Sequence, residues 1–314
     1  MFRAVPQASI WAATSSQCFT RSGVPPLRLP ARHLQARCLA SRRDRFSEIL
    51  DEGAPPSLQP EWASVLSSRR QLALRQPFQR YRAVGVSFGG AQEAVKLLQP
   101  GSPLLIQQEP DNEHDAQAVL LCDLTGRRLG YVPRADTDQF PHPLVVGRVE
   151  SVGANPTSGL WGFQFDTQPG LPAVGLLAPP PALAPLLGLA DLGQGAAWDA
   201  HRAARLAPGA RCFLTGAPAT RLLPDWRAWA VRRSLHLAGF LPACTPVHAL
   251  LSSTAPDTGQ VDALAALNQW TEEEGEAYVG HLQRGKQWEG RWSVDVSLLT
   301  RERLPTPPGL PLGI

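Results

Sequence analysis

The 314-residue chain has no apolar run near the ~20 residues that a membrane-crossing helix requires, which removes a spanning helix and puts no membrane among its partners. Charge is scarce, at 18% of residues, and lysine is nearly missing: Lys96 and Lys286 are the two lysines among 30 basic residues. A formal net charge of +3 excludes a strongly basic nucleic-acid coat protein, while 43% hydrophobic residues exclude a wholly disordered chain. No G-x-x-x-x-G-K-[ST] phosphate loop occurs, so a helicase motor is excluded. The five cysteines are widely spaced; Cys122, Cys212 and Cys244 lie outside the first 43 residues, and this odd, dispersed set is no disulfide framework.

Acid is also missing from one end. The first acidic residue is Asp44, and seven arginines (Arg3, Arg21, Arg28, Arg32, Arg37, Arg42, Arg43) precede it with seven Ser or Thr residues. An Arg-rich, Ser-rich, acid-free segment reads as an organelle transit peptide over 1–43, for chloroplast or mitochondrion, with processing expected near Arg37–Ser41. No uninterrupted apolar stretch follows the first charge, so a secretory signal is excluded. Without those seven charges the remainder carries 23 basic and 27 acidic residues, a net of −4. Nucleic-acid binding would then depend on a local site and not on bulk attraction.

What is abundant is turn formers: 31 Pro and 27 Gly mark linkers and tight loops. Residues 44–77 predict a helical arm of two segments, one with Phe46, Ile49 and Leu50 on a face and one with Trp62, Val65, Leu66 and Leu72, parted by Pro55, Pro56 and Pro60. Residues 78–167 change to strand patterning: Tyr81–Phe88, Pro103–Gln108, Ala118–Leu124, Arg128–Val132, Leu144–Val152 and Leu160–Phe165, with a short helix over Ala91–Leu98. Thr125-Gly126 supplies a hairpin turn, and so many short strands in about ninety residues predict a small barrel. Residues 168–210, with Pro179-Pro180-Pro181, read as a linker holding one helix near Trp198–Leu206. Residues 211–300 read as a mainly helical C-terminal domain and 301–314 as a tail. The fold class is therefore α+β, a small OB-like β-barrel plus a mainly helical domain.

The stretch Glu109-Pro110-Asp111-Asn112-Glu113-His114-Asp115 is rich in residues whose short side chains cap their own backbone amides, so Asp111 and Asn112 read as turn stabilisers. Asp115 would then present a carboxylate at a fixed place. Phe88 and His114 offer flat faces for stacking a base, and the fork of donors on Arg134 suits a phosphate.

This stretch, continued by Ala116-Gln117-Ala118-Val119 and followed by Leu129-Gly130-Tyr131-Val132-Pro133-Arg134, resembles the HIRAN domain; Gly85-Val86-Ser87-Phe88 fits the family's opening strand. The resemblance covers about residues 78–166 and implies a modified OB-type barrel that binds single-stranded DNA and grips its 3′-terminal nucleotide. It assigns the contacts to Phe88, His114, Asp115, Tyr131 and Arg134: Asp115 accepting from the terminal 3′-hydroxyl, Phe88 and His114 holding the base, Arg134 on backbone phosphate. The sequence departs from the family at Ser87 and Gly89, where fork remodellers carry Arg and a second aromatic. Seven basic and ten acidic residues over 78–166 give a net of −3, so few phosphate contacts are expected.

In the C-terminal part, Cys212-Phe213-Leu214-Thr215-Gly216 and Cys244-Thr245-Pro246-Val247-His248 suggest a zinc site, and Leu264–Leu267, Trp270-Thr271-Glu272-Glu273 and Trp292-Ser293-Val294-Asp295-Val296-Ser297 resemble the end of an HNH-like, zinc-ribbon module over about 211–300. Cys212, Cys244 and His248 are the candidate zinc ligands, with His236 as a fourth position, but Thr215 and Val247 stand where thiolates belong. The reading is buried cysteines in a scaffold that has lost ligands, with no cofactor and zinc as the alternative. Trp226, Trp229, Trp270, Trp288 and Trp292 read as core, and Glu272-Glu273-Glu274 as a helix N-terminus. The function expected is nucleic-acid binding, probing single-stranded DNA in organelle DNA maintenance or repair. The alternatives are a protein–protein adaptor, and a vestigial metal-dependent hydrolase or nuclease in the C-terminal domain; no catalytic residue is assigned.

Overall fold

The computed structural model describes residues 60–175, 189, 193–229, 233–283 and 292–307. The transit reading, the first arm segment, Pro179–Pro181 and Trp288 fall outside them. The described residues belong to one compact unit.

Helix α1 (Pro60–Leu74) opens the described chain. It buries Trp62, Val65, Leu66, Arg69 and Ala73, the i, i+3, i+4, i+7 stripe of a helix with one inward face. There follow β1 (Gln79–Arg82), α2 (Ala91–Lys96), β2 (Pro103–Gln108), β3 (Val119–Cys122), β4 (Arg128–Tyr131), a 3-10 turn (Arg134–Gln139), β5 (Leu144–Ala154) and β6 (Trp161–Thr167). The six strands form one antiparallel sheet in the order β1-β6-β5-β2-β3-β4.

Its two edges come together. After β1, Ala83 still donates to Phe163 O (3.1 Å), but Val84 turns to the other edge and exchanges both backbone bonds with Tyr131 (2.9 and 2.8 Å). That rung curls the sheet towards closure, as a small OB-like barrel requires. Gly130 permits it: a Cβ there would lie 2.6 Å from Val84 O, and its φ of +149° suits glycine.

Strand alternation divides two cores. On β2, Leu104 and Ile106 point into the barrel while Leu105 points out; on β3, Val119 and Leu121 point in while Leu120 and Cys122 point out. The interior is completed by Tyr81, Leu129, Phe163 and Phe165. The outer residues are buried as well, because α1 and the C-terminal elements cover them. A strand covered on both faces loses its polar alternation, which is why β3 reads as an unbroken apolar run.

Residues 168–175, expected to begin a linker, are packed instead. Gln168 donates to Ala73 O and Gln76 O (2.8 and 2.6 Å), and the Asn268 amide pairs with Val174 N and O (2.8 Å each). Helix α3 (Ala196–Arg205) then carries the fully buried Trp198. A second difference is larger. Residues 221–243, expected to be helical, form a long hairpin, β7 (Arg221–Trp229) and β8 (Ser234–Ala243), joined in parallel by β9 (Ser293–Asp295). Around it lie α4 (Thr245–Leu251), α5 (Thr258–Asn268), α6 (Glu272–Gln283) and α7 (Ser297–Arg301). The hairpin buries Leu222, Leu237 and Phe240 against Trp198, Leu298 and Leu299, and turns Leu223 and Ala243 to the core shared with the barrel.

Two cations pin barrel to C-terminal elements. Arg148 on β5 makes a bidentate pair with Glu274 on α6 (2.9 and 2.8 Å) and donates to Gln269 O (2.6 Å). Arg69, fully buried, donates to Leu267 O (3.2 Å), Leu214 O (2.8 Å) and Pro172 O (2.6 Å). Truncating Arg69 strands three buried carbonyls, each costing about 1–3 kcal/mol unless water reaches it. Arg69→Met is therefore expected to lower unfolding stability by roughly 3 kcal/mol or more, against under 0.5 kcal/mol for a change at an exposed position such as Leu74; denaturant unfolding monitored by tryptophan fluorescence measures the difference.

Candidate nucleic-acid interface

The motif turn is built around one amide. Asn112 Oδ1 accepts from the backbone N–H groups of His114 (2.9 Å) and Asp115 (3.1 Å), the bond pattern of an Asx turn. Asn112 Nδ2 donates to Glu109 Oε2 (2.6 Å) and to the Tyr131 hydroxyl (3.1 Å). Tyr131 in turn donates its hydroxyl proton to the same Glu109 oxygen (2.9 Å). Arg128 closes the group: it bonds Glu109 Oε1 (3.0 Å), and its guanidinium lies 5.5 Å from the Tyr131 ring centroid. Burial first, and then the Glu109 carboxylate, push the Tyr131 phenol above its ordinary range, so Tyr131 remains a donor well past neutral pH.

This network fixes what projects from it. Asp115 Oδ1 accepts from Gln117 N (3.0 Å), leaving Oδ2 3.6 Å from Arg134 Nε, a loose pair with the arginine 80% exposed. His114 stands exposed at the tip of the turn. Phe88 is 70% exposed, in the loop between β1 and α2. That loop leans on the same group, for a Cβ at Gly85 would lie 3.1 Å from the Tyr131 ring and one at Gly89 3.7 Å from Arg128. The structure thus brings Tyr131, Asp115 and Arg134 to one turn-and-hairpin region and leans the Phe88 loop on it. Tyr131 is a member of the scaffold as much as a free surface group. A cleft of about 290 Å³ lies beside it, lined by Pro110, Ala116, Gln117, Asp138, Phe140 and Pro141.

Two members of the network carried no assigned role in the sequence: Glu109 and Arg128. The signal was present at Glu109, an acid opening a turn of Asx residues, but its partners lie 19 and 22 positions away on β4.

Electrostatics here are internally compensated. Basic side chains between 78 and 166 form ion pairs within the molecule: Arg80 with Asp166 and Glu150, Lys96 with Glu93, Arg127 with Asp123, Arg128 with Glu109, Arg134 with Asp115, Arg148 with Glu274. Arg134 has the longest of these pairs (3.6 Å) and is the most exposed of the six cations, so among them it is the one most open to an incoming anion.

The zinc candidates come out differently. Cys212 and Cys244 meet in the core, but among the described residues no group of three or more His, Cys, Asp or Glu side chains could hold a metal. The His248 backbone N–H bonds Cys244 O within α4 (2.9 Å). Trp270 and Trp292 are buried and Trp226 packs against the hairpin core.

A curled antiparallel sheet with a hydrogen-bonded acidic turn at its rim defines a small OB-like domain. Residues 78–145 match the family model of the HIRAN domain, and the chain carries that domain. Strands β5 and β6 complete its sheet beyond the matched residues. Among solved structures, the crystal structure of the HIRAN domain of human HLTF matches at 14% identity, over 29% of this chain and 74% of that one, with a TM-score of 0.20. No curated protein matches the chain. The HIRAN domain points to DNA as the ligand class.

The Asn112 hub sets a test. Asn112→Ala leaves two turn amides and the Glu109–Tyr131 pair without their partner, an expected loss of about 1–3 kcal/mol. Hydrogen exchange should rise at His114 and Asp115 while the β5–β6 amides keep their protection.

Proposed function

We propose that this protein binds single-stranded DNA through its HIRAN domain, recognises the 3′ end, and serves organelle DNA maintenance. The observation that carries the reading is the turn that offers Asp115 and Arg134 side by side, with the exposed Phe88 loop anchored to the same network. The chemistry is one of exchange. A terminal hydroxyl donates to Asp115 Oδ2 and a phosphate replaces that carboxylate at Arg134, so the loose 3.6 Å pair opens as the ligand binds. Phe88 supplies a face for a base. With Arg80, Lys96, Arg127, Arg128 and Arg148 engaged by carboxylates, affinity rests on stacking and on the end contact, and its salt dependence is shallow. The arginine-rich leader supports the organelle assignment.

The internal ion pairing also favours a second reading, a protein–protein adaptor, because a compensated surface offers little to a polyanion.

Fluorescence anisotropy with oligonucleotides bearing a free or a phosphorylated 3′ end separates the readings. Tighter binding of the free end is expected, with Asp115→Ala abolishing the preference. Phe88→Ala is expected to weaken binding by about 1–3 kcal/mol, and Arg134→Gln to reduce the salt slope by about one phosphate contact. Equal affinity for both ends sinks the end-recognition claim. Absence of any binding, with protein partners that survive nuclease treatment, establishes the adaptor.

A further inference from the structure

Cys212 begins the turn that precedes β7, and Cys244 directly follows β8. Backbone bonds from Phe213 N to Pro242 O and from Thr220 N to Ala243 O (2.9 Å each) lay that turn across the end of β8. Further bonds, Cys212 N to Ala217 O (2.7 Å) and Gly216 N to Cys212 O (2.9 Å), hold the turn closed. The two thiols, both free and buried, therefore lie next to one another in the same core.

Donors converge on the sulfurs. The amide groups of Leu214 and Cys244 and the Thr215 hydroxyl lie around the Cys212 sulfur, and the Val247 amide and the same hydroxyl around that of Cys244. The buried Arg69 guanidinium stands close enough to interact electrostatically with Cys212, while its own hydrogen bonds go to three carbonyls and to no carboxylate. Burial draws Arg69 down to about 9, so it remains a cation at neutral pH. Amide donors, a hydroxyl and a cation around one sulfur stabilise a thiolate, the nucleophilic form of cysteine. The contact with Cys244 holds the Cys212 thiol below its ordinary range, and the same contact with burial holds Cys244 above it: one proton serves the pair. Cys122 is the contrast. Burial, and then the adjoining Asp123, push it up to about 12, and neither of the other two thiols pairs with it.

We propose that Cys212 and Cys244 are a redox-active dithiol, which a peroxide converts to a disulfide. In the first step the Cys212 thiolate attacks one peroxide oxygen; the O–O bond breaks, an S–O bond forms, and the departing hydroxide takes a proton to become water. In the second, the Cys244 sulfur displaces hydroxide from the Cys212 sulfenic acid, and the Cys244 proton leaves with it as a second water. Two thiols and one peroxide give one disulfide and two waters, the sulfurs losing two electrons and the peroxide gaining them. Burial selects the oxidant: at 2% and 6% exposure the pair is reached by a small neutral peroxide and not by a protein thiol. The disulfide forms near Arg69, at the junction of α1, the 212–217 turn and the end of α5. This inference is independent of the DNA-binding reading.

The test uses the full chain, treated with hydrogen peroxide under native conditions, quenched by alkylation after unfolding, and mapped by mass spectrometry. The expected product is a Cys212–Cys244 cross-linked peptide two hydrogens lighter than the reduced pair, restored by dithiothreitol, with Cys122 still a thiol. Mapping separates it from any reaction at Cys18 or Cys38. The Cys244→Ser variant should instead stop at a Cys212 sulfenic acid that a cyclic dione traps. Recovery of both Cys212 and Cys244 as alkylated thiols overturns the proposal, as does oxidation of Cys122 at an equal rate or a Cys212 pairing with any other cysteine. If the variant does not fold, the wild-type mapping decides alone.

Discussion

A guanidinium sealed away from water, with no carboxylate to neutralise it, has to be surrounded by oriented dipoles or it will not remain buried. Arg69 meets that condition with carbonyls drawn from three separate segments, those at Pro172, Leu214 and Leu267. Each carbonyl belongs to a different part of the fold: the exit of the barrel, the turn before the hairpin, and the end of α5. The helix that carries Arg69 covers the outer side of the barrel, and the apolar outward residues Leu105, Leu120, Cys122 and Leu124 share one core with α4, α5 and α6. The HIRAN domain is accordingly one wall of a larger body. At about 1.5–3 kcal/mol per large apolar side chain removed from water, the shared face is a principal term in the stability of both parts.

The rim of the barrel is organised on a different basis. There a carboxylate, an amide, a phenol and a guanidinium saturate each other's hydrogen-bonding capacity at Glu109, Asn112, Tyr131 and Arg128. A network in which every member is satisfied is rigid, and rigidity is what a small recognition surface needs if it cannot rely on charge. The side chains that project from it, Asp115, Arg134, His114 and Phe88, stand beside the network without being members of it.

Much of the barrel was legible because its strands are local signals: β2 begins and ends at the residues where its pattern does, and β5 and β6 differ from theirs by two residues at most. The turn was legible for the same reason, since Asn and Asp cap amides two or three residues away. The hairpin β7–β8 was not. Pro224 lies within β7, a register shift at Asp225–Trp226 breaks its alternation, and Gly239 and Pro242 interrupt β8. These features erase the period of two on which strand reading depends. Arg69 was hidden for the opposite reason. On a helix stripe of Trp62, Val65 and Leu66 a lone arginine reads as a surface residue, and nothing local announces three carbonyls about 100 to 200 positions downstream. Likewise Glu274 reads as one of three acids at a helix start, with no sign of Arg148.

Glu274 holds two posts at once. Its carboxylate accepts from Thr271 N (2.9 Å) while the Thr271 hydroxyl accepts from Glu274 N (3.1 Å), which caps α6, and the same carboxylate grips Arg148 across the junction. Separating barrel from helix would strip the cap of its organising partner, and fraying the helix would release the barrel. The two parts therefore have no independent melting behaviour to display: the chain should lose both in a single cooperative transition, and a change at either end of that link should be felt as a change in the stability of the whole.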